Sequence, residues 1–177
     1  MLRMLRHRPA AAAVLSAAAG FLLVIGTATP THADVTTKSD PRGDAPPRLD
    51  IASVTYRNTT PSVSARMRVN ELTRAGRAEF YITTTGGTDV AYVAMVSSRA
   101  DGTLRKRFVQ RGNLGDTSLR CNFEARWDPN KNLIHIAVPR RCLPDAGAGA
   151  HYVRIDMAAV ATGERDYAPA AQHLARD

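Results

Sequence analysis

Three side chains with acid–base potential, Glu124, Asp128 and His135, fall close together in the sequence. They lie in residues 119–140, where two apolar-alternating runs predict a β-hairpin with Asp128 facing His135 and Glu124 on the diagonal. A carboxylate beside an imidazole can orient it as a general base, so these residues are the first to test in a small hydrolase. Because Asp128 also precedes a proline as an ordinary turn opener, we expect no catalytic role for them.

Arginine side chains are concentrated on two predicted strands. Arg66 and Arg68 alternate with apolar residues on one strand, and Arg105 and Arg107 share a face of another. Guanidinium groups bind phosphate and carboxylate groups through paired hydrogen bonds. If the two strands are neighbours, the four arginines form one basic plate suited to an anionic polymer or another protein. The alternative is a solvated sheet face. Aromatic residues are sparse here, so no nucleic acid partner is expected.

Asp40, Asp44 and Asp50 form an acidic group around a bend rich in proline and glycine. Carboxylate oxygens on such a loop suit Ca²⁺, which takes six to eight oxygen ligands. Their spacing matches no EF-hand loop, however, and two arginines lie among them. We therefore favour a solvated segment with turn-forming aspartates and expect no cofactor or metal, with a Ca²⁺ site as the alternative.

Cys121 and Cys142 are the two cysteines of the chain. Outside the cytoplasm such a pair forms a disulfide by default. A hairpin register with the two cysteines opposite each other places apolar residues on one face and polar residues on the other, a segregation that a one-residue slip would destroy. That register pairs Phe123 with Arg140, Ala125 with Val138, Trp127 with Ile136, and Pro129 with Ile134.

Short alternating strands must position all of these residues. From Leu49 onward, apolar-alternating runs are separated by turn signals about every ten residues, a pattern typical of an all-β sandwich or barrel. We predict an antiparallel β-sandwich of about eight strands over residues 49–167. Residues 34–48 are expected to be an extended lead-in, and residues 168–177 a frayed or short helical tail.

The first 33 residues have the pattern of a targeting signal. Arg3, Arg6 and Arg8 precede an apolar stretch that ends in small residues at Ala33, as in a secretory signal peptide. Its strongest apolar core is too short to cross a bilayer, so we expect cleavage near Ala33 and no stable membrane anchor afterwards. A retained anchor is the alternative. The net charge of +8 favours anionic partners without selecting among them.

The sequence resembles small secreted proteins of high-GC Gram-positive bacteria that consist of one β-sandwich domain. The residues that carry the resemblance are Asp40-Pro-Arg-Gly-Asp44, Leu49-Asp50-Ile51, Ala65-Arg-Met-Arg-Val69, Pro139-Arg-Arg-Cys-Leu143 and Val153-Arg-Ile155. The resemblance implies an extracellular location and the fold, and it implies no activity or site residue.

These observations favour a secreted, non-catalytic binding or structural module over an enzyme. Its expected partner is an anionic cell-wall polymer or a secreted protein, contacted through Arg66, Arg68, Arg105 and Arg107. Two alternatives remain open at the level of sequence: a small extracellular hydrolase, and a secreted inhibitor of an enzyme. No nucleophile elbow and no phosphate-binding glycine loop is present in the sequence.

Overall fold

A computed structural model describes residues 34–84, 91–143, 152–161 and 164–176. The predicted signal peptide lies outside the described residues. Within these ranges every regular element is a β-strand, except for two short 3₁₀ turns at Pro129–Lys131 and Arg140–Cys142. The prediction of an all-β fold is therefore confirmed. No helix among the described residues is long and apolar enough to cross a membrane.

Twelve strands form in the described part of the chain, more than the eight or so expected. They are β1 (Asp34–Ser39), β2 (Ile51–Asn58), β3 (Ser62–Val69), β4 (Gly76–Thr84), β5 (Ala91–Ser98), β6 (Leu104–Gly112), β7 (Gly115–Leu119), β8 (Glu124–Asp128), β9 (Leu133–Pro139), β10 (Tyr152–Ala161), β11 (Glu164–Tyr167) and β12 (Ala171–Ala175).

The strands build two antiparallel sheets. Sheet A has five strands in the order β1-β2-β3-β9-β8, and sheet B has seven, in the order β11-β10-β4-β5-β6-β7 with β12 also paired to β10. Alternate residues of each sheet point inward, as the two-residue period of a strand requires. Tyr56, Met67 and Ile136 of sheet A and Phe80 and Ile155 of sheet B are fully buried in one common core.

The β8–β9 hairpin confirms the predicted disulfide but corrects the predicted register. Cys121 and Cys142 are bonded, with their Cα atoms 5.6 Å apart. They lie outside the ladder, however, and Trp127 pairs with Ile134 rather than with Ile136. The strands are shifted by two residues, so that the side chains that remain in the ladder keep their predicted faces, whereas Pro129 and Arg140 lie in the 3₁₀ turns. The connecting turn consequently begins at Pro129, one residue earlier than predicted.

Both ends of the domain contribute strands that the sequence analysis missed. The segment expected to be a lead-in supplies β1, which pairs with β2, and the segment expected to be a helical or frayed tail supplies β12, which pairs with β10. Buried Asn58 connects the tail to sheet A, because its Nδ2 donates a hydrogen bond of 2.7 Å to the carbonyl of Leu174. The sandwich thus extends beyond both predicted limits.

Candidate functional site: the basic face of sheet A

The four arginines predicted to form one plate do not share a surface. Arg66 and Arg68 lie on β3 of sheet A, whereas Arg105 and Arg107 lie on β6 of sheet B. The condition for the plate, that the two strands are neighbours, is not met. The two pairs of arginines must therefore be considered as parts of different surfaces.

The outer face of sheet A brings Arg66 and Arg68 together with residues from the neighbouring strands. Thr55 on β2 pairs with Arg66, which in turn pairs with His135 on β9. Arg57 projects from β2 on the same side of the sheet, beside Ser64. Arg57 is followed in the sequence by a turn-like run of asparagine, two threonines and a proline, so the local pattern places it in a turn and not on a strand.

A shallow groove crosses this face. Its volume is about 330 Å³, and Thr55, Arg57, Ser64, Arg66 and His135 line it. Two guanidinium groups, an imidazole and two hydroxyl groups therefore surround one opening. We call Arg57, Arg66, Arg68 and His135 the basic face.

Charge on the basic face is not balanced locally. Within the part of the chain that the structure describes, Arg57, Arg66 and Arg68 make no ion pair and no side-chain hydrogen bond. Two acidic residues of sheet A lie on the edge strand β8, where Asp128 binds Arg126 at 2.8 Å and Glu124 lies 4.0 Å from His135. The guanidinium donors of the three arginines are consequently available to an anionic ligand.

The acid–base trio predicted from the sequence is not assembled as expected. Because the register is shifted, the residue opposite His135 is Arg126 and not Asp128. The Asp128 carboxylate is held by the Arg126 guanidinium. Glu124 is largely exposed, and its separation from the Nδ1 of His135 is too long for a hydrogen bond. This geometry does not orient the imidazole as a general base.

His135 is sensitive to its surroundings on the basic face. Its imidazole is mostly buried, and this burial lowers its pKa below the ordinary value of 6.5. Glu124 acts in the opposite direction, whereas Arg66 and Arg126 lower the pKa further. The folded protein therefore favours the neutral imidazole.

Acidification below pH 6.5 should therefore destabilise the protein through His135. The unfolded chain binds a proton at the ordinary pKa of about 6.5, while the folded chain binds it only at lower pH, so stability is lost as the pH falls through this window. We expect His135→Gln to remove this component. The measurement is the urea unfolding midpoint from pH 7.5 to 5.5 for both proteins. Parallel pH profiles would contradict the expectation.

The outer face of sheet B has more of its charge paired. Arg111 forms two hydrogen bonds with Asp116, at 2.9 and 3.0 Å, and Arg107 donates to Ser118 at 3.3 Å. On the same side of the sheet, the fully buried side chain of Glu79 accepts ion pairs from Arg77 and Arg165. These cations already have partners, which distinguishes this surface from the basic face.

The three aspartates of the predicted acidic group come together with a fourth. Asp40 and Asp44 lie near Asp166 of β11, a residue that the sequence analysis did not select, and Asp50 adjoins them. Burial raises the pKa of Asp40 to about 6, and the charges of the other three aspartates contribute. This cluster lies at the end of β1, and it is separate from the groove.

Comparisons of the chain with protein-family models, curated proteins and solved structures found no match. The fold and the site together define an antiparallel β-sandwich with one disulfide and a basic outer face.

Proposed function

We propose that this protein is a secreted, non-catalytic binding module that contacts anionic cell-envelope polymers through the basic face of sheet A. The observation that carries the proposal is the groove between Arg57 and Arg66, whose guanidinium groups have no acidic partner in the described part of the chain. Phosphate and carboxylate groups match the paired donors of arginine.

The shape of the surface supports a polymer rather than a small substrate. The face is a sheet of five strands, and its side chains near the groove are short hydroxyl residues such as Thr55 and Ser64. An extended chain of repeating anionic groups can lie across such a surface and meet several arginines in turn. A small molecule would need a deeper cavity that removes most of its surface from water.

The proposed export of the protein is consistent with the same class of partner. The N-terminal segment has the features of a signal peptide, and the disulfide is of the kind that persists in an oxidising compartment. Polymers of the cell envelope are the anionic macromolecules that an exported protein meets first. The hydrolase alternative has less support, because Glu124, Asp128 and His135 are not arranged for acid–base catalysis.

A retention assay on purified cell-wall material tests the proposal. We expect the protein to bind anionic wall polymer at low ionic strength and to be released as salt screens the charges. Arg57→Gln combined with Arg66→Gln should weaken binding at least ~10-fold, since each lost contact removes roughly 1 kcal/mol or more. Co-sedimentation over a polymer concentration series gives the dissociation constant.

A matched double variant controls for net charge. Arg105→Gln with Arg107→Gln removes two positive charges from sheet B and leaves the groove intact. We expect this control to retain binding within about twofold. Equal weakening by both double variants would show a non-specific charge effect, and no weakening by the groove variant would refute the proposed surface.

A further inference from the structure

Three aspartates that are close in sequence and a fourth that is distant converge at one edge of the sandwich. Asp40 follows β1, Asp44 lies in the turn after it, Asp50 precedes β2, and Asp166 lies on β11 of the other sheet. One carboxylate oxygen each from Asp40, Asp44 and Asp166 lies within 4.8 Å of the others. Two oxygens on opposite sides of a Ca²⁺ ion are about 5 Å apart, because Ca–O distances are about 2.3–2.6 Å. A single ion can therefore touch all three carboxylates.

Two buried carboxylate oxygens in this cluster have no hydrogen-bond donor. Asp50 is 5 % exposed, and its Oδ2 accepts hydrogen bonds from the backbone N–H of Gly43 and the side chain of Asn70. Its Oδ1 is buried without a partner, and so is the Oδ2 of Asp40. Because Gly43 lies between Asp40 and Asp44 in the sequence, its hydrogen bond places the Asp50 carboxylate against the loop that carries the other two. A buried acceptor without a donor is costly, and a cation would satisfy both oxygens.

No ion pair among the described residues neutralises the four carboxylates. Three arginines nevertheless lie close to them in sequence: Arg42, which is exposed, Arg48 and Arg165. Arg48 lies 3.8 Å from Glu164, and Arg165 binds Glu79 at 3.3 Å. Asp166 is 6 % exposed, and its Oδ2 accepts the backbone N–H of Ile51 at 2.7 Å. A hydrogen bond thus joins the cluster to both sheets, while its negative charges repel one another.

We propose that Asp40, Asp44, Asp50 and Asp166 bind one Ca²⁺ ion, which clamps the β1–β2 edge of sheet A to β11 of sheet B. The donors are all hard oxygens, the ligand type that Ca²⁺ prefers, and the group contains neither histidine nor cysteine. Ca²⁺ accepts several carboxylates in irregular geometry, whereas Mg²⁺ requires a near-octahedral shell and keeps most of its waters. This site is independent of the proposed binding of polymers.

Calcium binding can be measured on the purified full-length protein after treatment with a chelator. Titration with CaCl₂ in a calorimeter should show one site per chain with a Kd below about 1 mM, the range of extracellular calcium modules. The melting temperature should rise by roughly 5–10 °C at a Ca²⁺ concentration about 100 times the Kd, because the ion binds the folded state alone. MgCl₂ should bind at least ~10-fold more weakly.

Two exposed aspartates provide the variant and its control. Asp44→Asn removes one ligand charge at a side chain that makes no hydrogen bond or ion pair with the described residues, so the fold should be retained, and the Kd for Ca²⁺ should rise at least ~10-fold. Asp116→Asn makes the same change at the ion pair with Arg111 and should leave the Kd within about twofold.

The proposal is overturned if the protein shows neither binding heat nor a higher melting temperature at about 10 mM CaCl₂, well above the weakest range expected. Equal weakening by both variants, or equal affinity for Mg²⁺, would also overturn it.

Discussion

Replacing Cys121 and Cys142 with serine is expected to lower the free energy of unfolding by about 3 kcal/mol. The disulfide closes a loop with a sequence separation of 21 residues, and it joins the segment before β8 to the 3₁₀ turn after β9. Without this connection the unfolded chain regains the conformational freedom that the closed loop removes. The measurement is urea unfolding of the oxidised wild type and the double variant.

Reduction of the wild type provides the control for this prediction. Wild-type protein in excess reductant should unfold at the same urea concentration as the double variant, because both lack the disulfide. Since the reduced wild type carries no serine substitution, this comparison separates loss of the disulfide from the effect of the serines. Reductant should not change the urea unfolding midpoint of the double variant. A loss of less than about 1 kcal/mol would contradict the expectation and would show that the β8–β9 hairpin persists in the unfolded chain.

The disulfide also shows how far a sequence pattern can determine a hairpin. The alternation within residues 123–138 correctly assigns the apolar side chains of both strands to the core face of sheet A. A shift of two residues preserves that alternation, so the pattern could not distinguish Trp127 opposite Ile134 from Trp127 opposite Ile136. The cysteines were assumed to be opposite each other in the ladder, whereas they join the segments beyond its end. The face was therefore predictable, and the partner was not.

Residues of the candidate sites were missed for a different reason. Arg57 was placed in a turn because asparagine, two threonines and a proline follow it, although β2 continues to Asn58. Asp166 lies 116 positions after Asp50 in the sequence, and only the packing of β11 near β2 brings the two together. Neither pattern nor spacing carries information on which strands adjoin, so a site built across two sheets requires the fold.

The two terminal strands illustrate the limits of local propensity. Residues 34–39 include a valine and two threonines, β-branched residues that favour a strand, but the prolines that follow dominated the interpretation. Residues 171–175 contain alanines that favour a helix, yet pairing with β10 and burial of Leu174 determine the conformation. In both segments tertiary contacts outweigh a weak local signal.

Among the described residues, Glu79 is the most deeply buried charged side chain that has cationic partners. Its side chain is fully buried on β4, where Arg77 approaches its Oε1 at 2.5 Å and Arg165 its Oε2 at 3.3 Å. The Tyr81 hydroxyl donates a third interaction to Oε2. Taking a carboxylate out of water is expensive, and these donors offset that cost only while the carboxylate is present. The Glu79 side chain therefore connects β4 to β11 through Arg165.

Glu79→Gln is expected to lower the free energy of unfolding by about 2–3 kcal/mol. Removing one member of a buried ion pair costs about 3–5 kcal/mol, and we reduce this value because Arg77 and Arg165 remain about 40 % exposed and regain water. Glu164→Gln is the matched control, since its ion pair with Arg48 is exposed and 3.8 Å long, and it should change stability by less than about 0.5 kcal/mol. If both substitutions lowered the free energy of unfolding equally, burial of Glu79 would not determine how much this side chain contributes to stability. A larger effect at position 79 would instead identify its carboxylate as the electrostatic link between the central strand β4 and the edge strand β11.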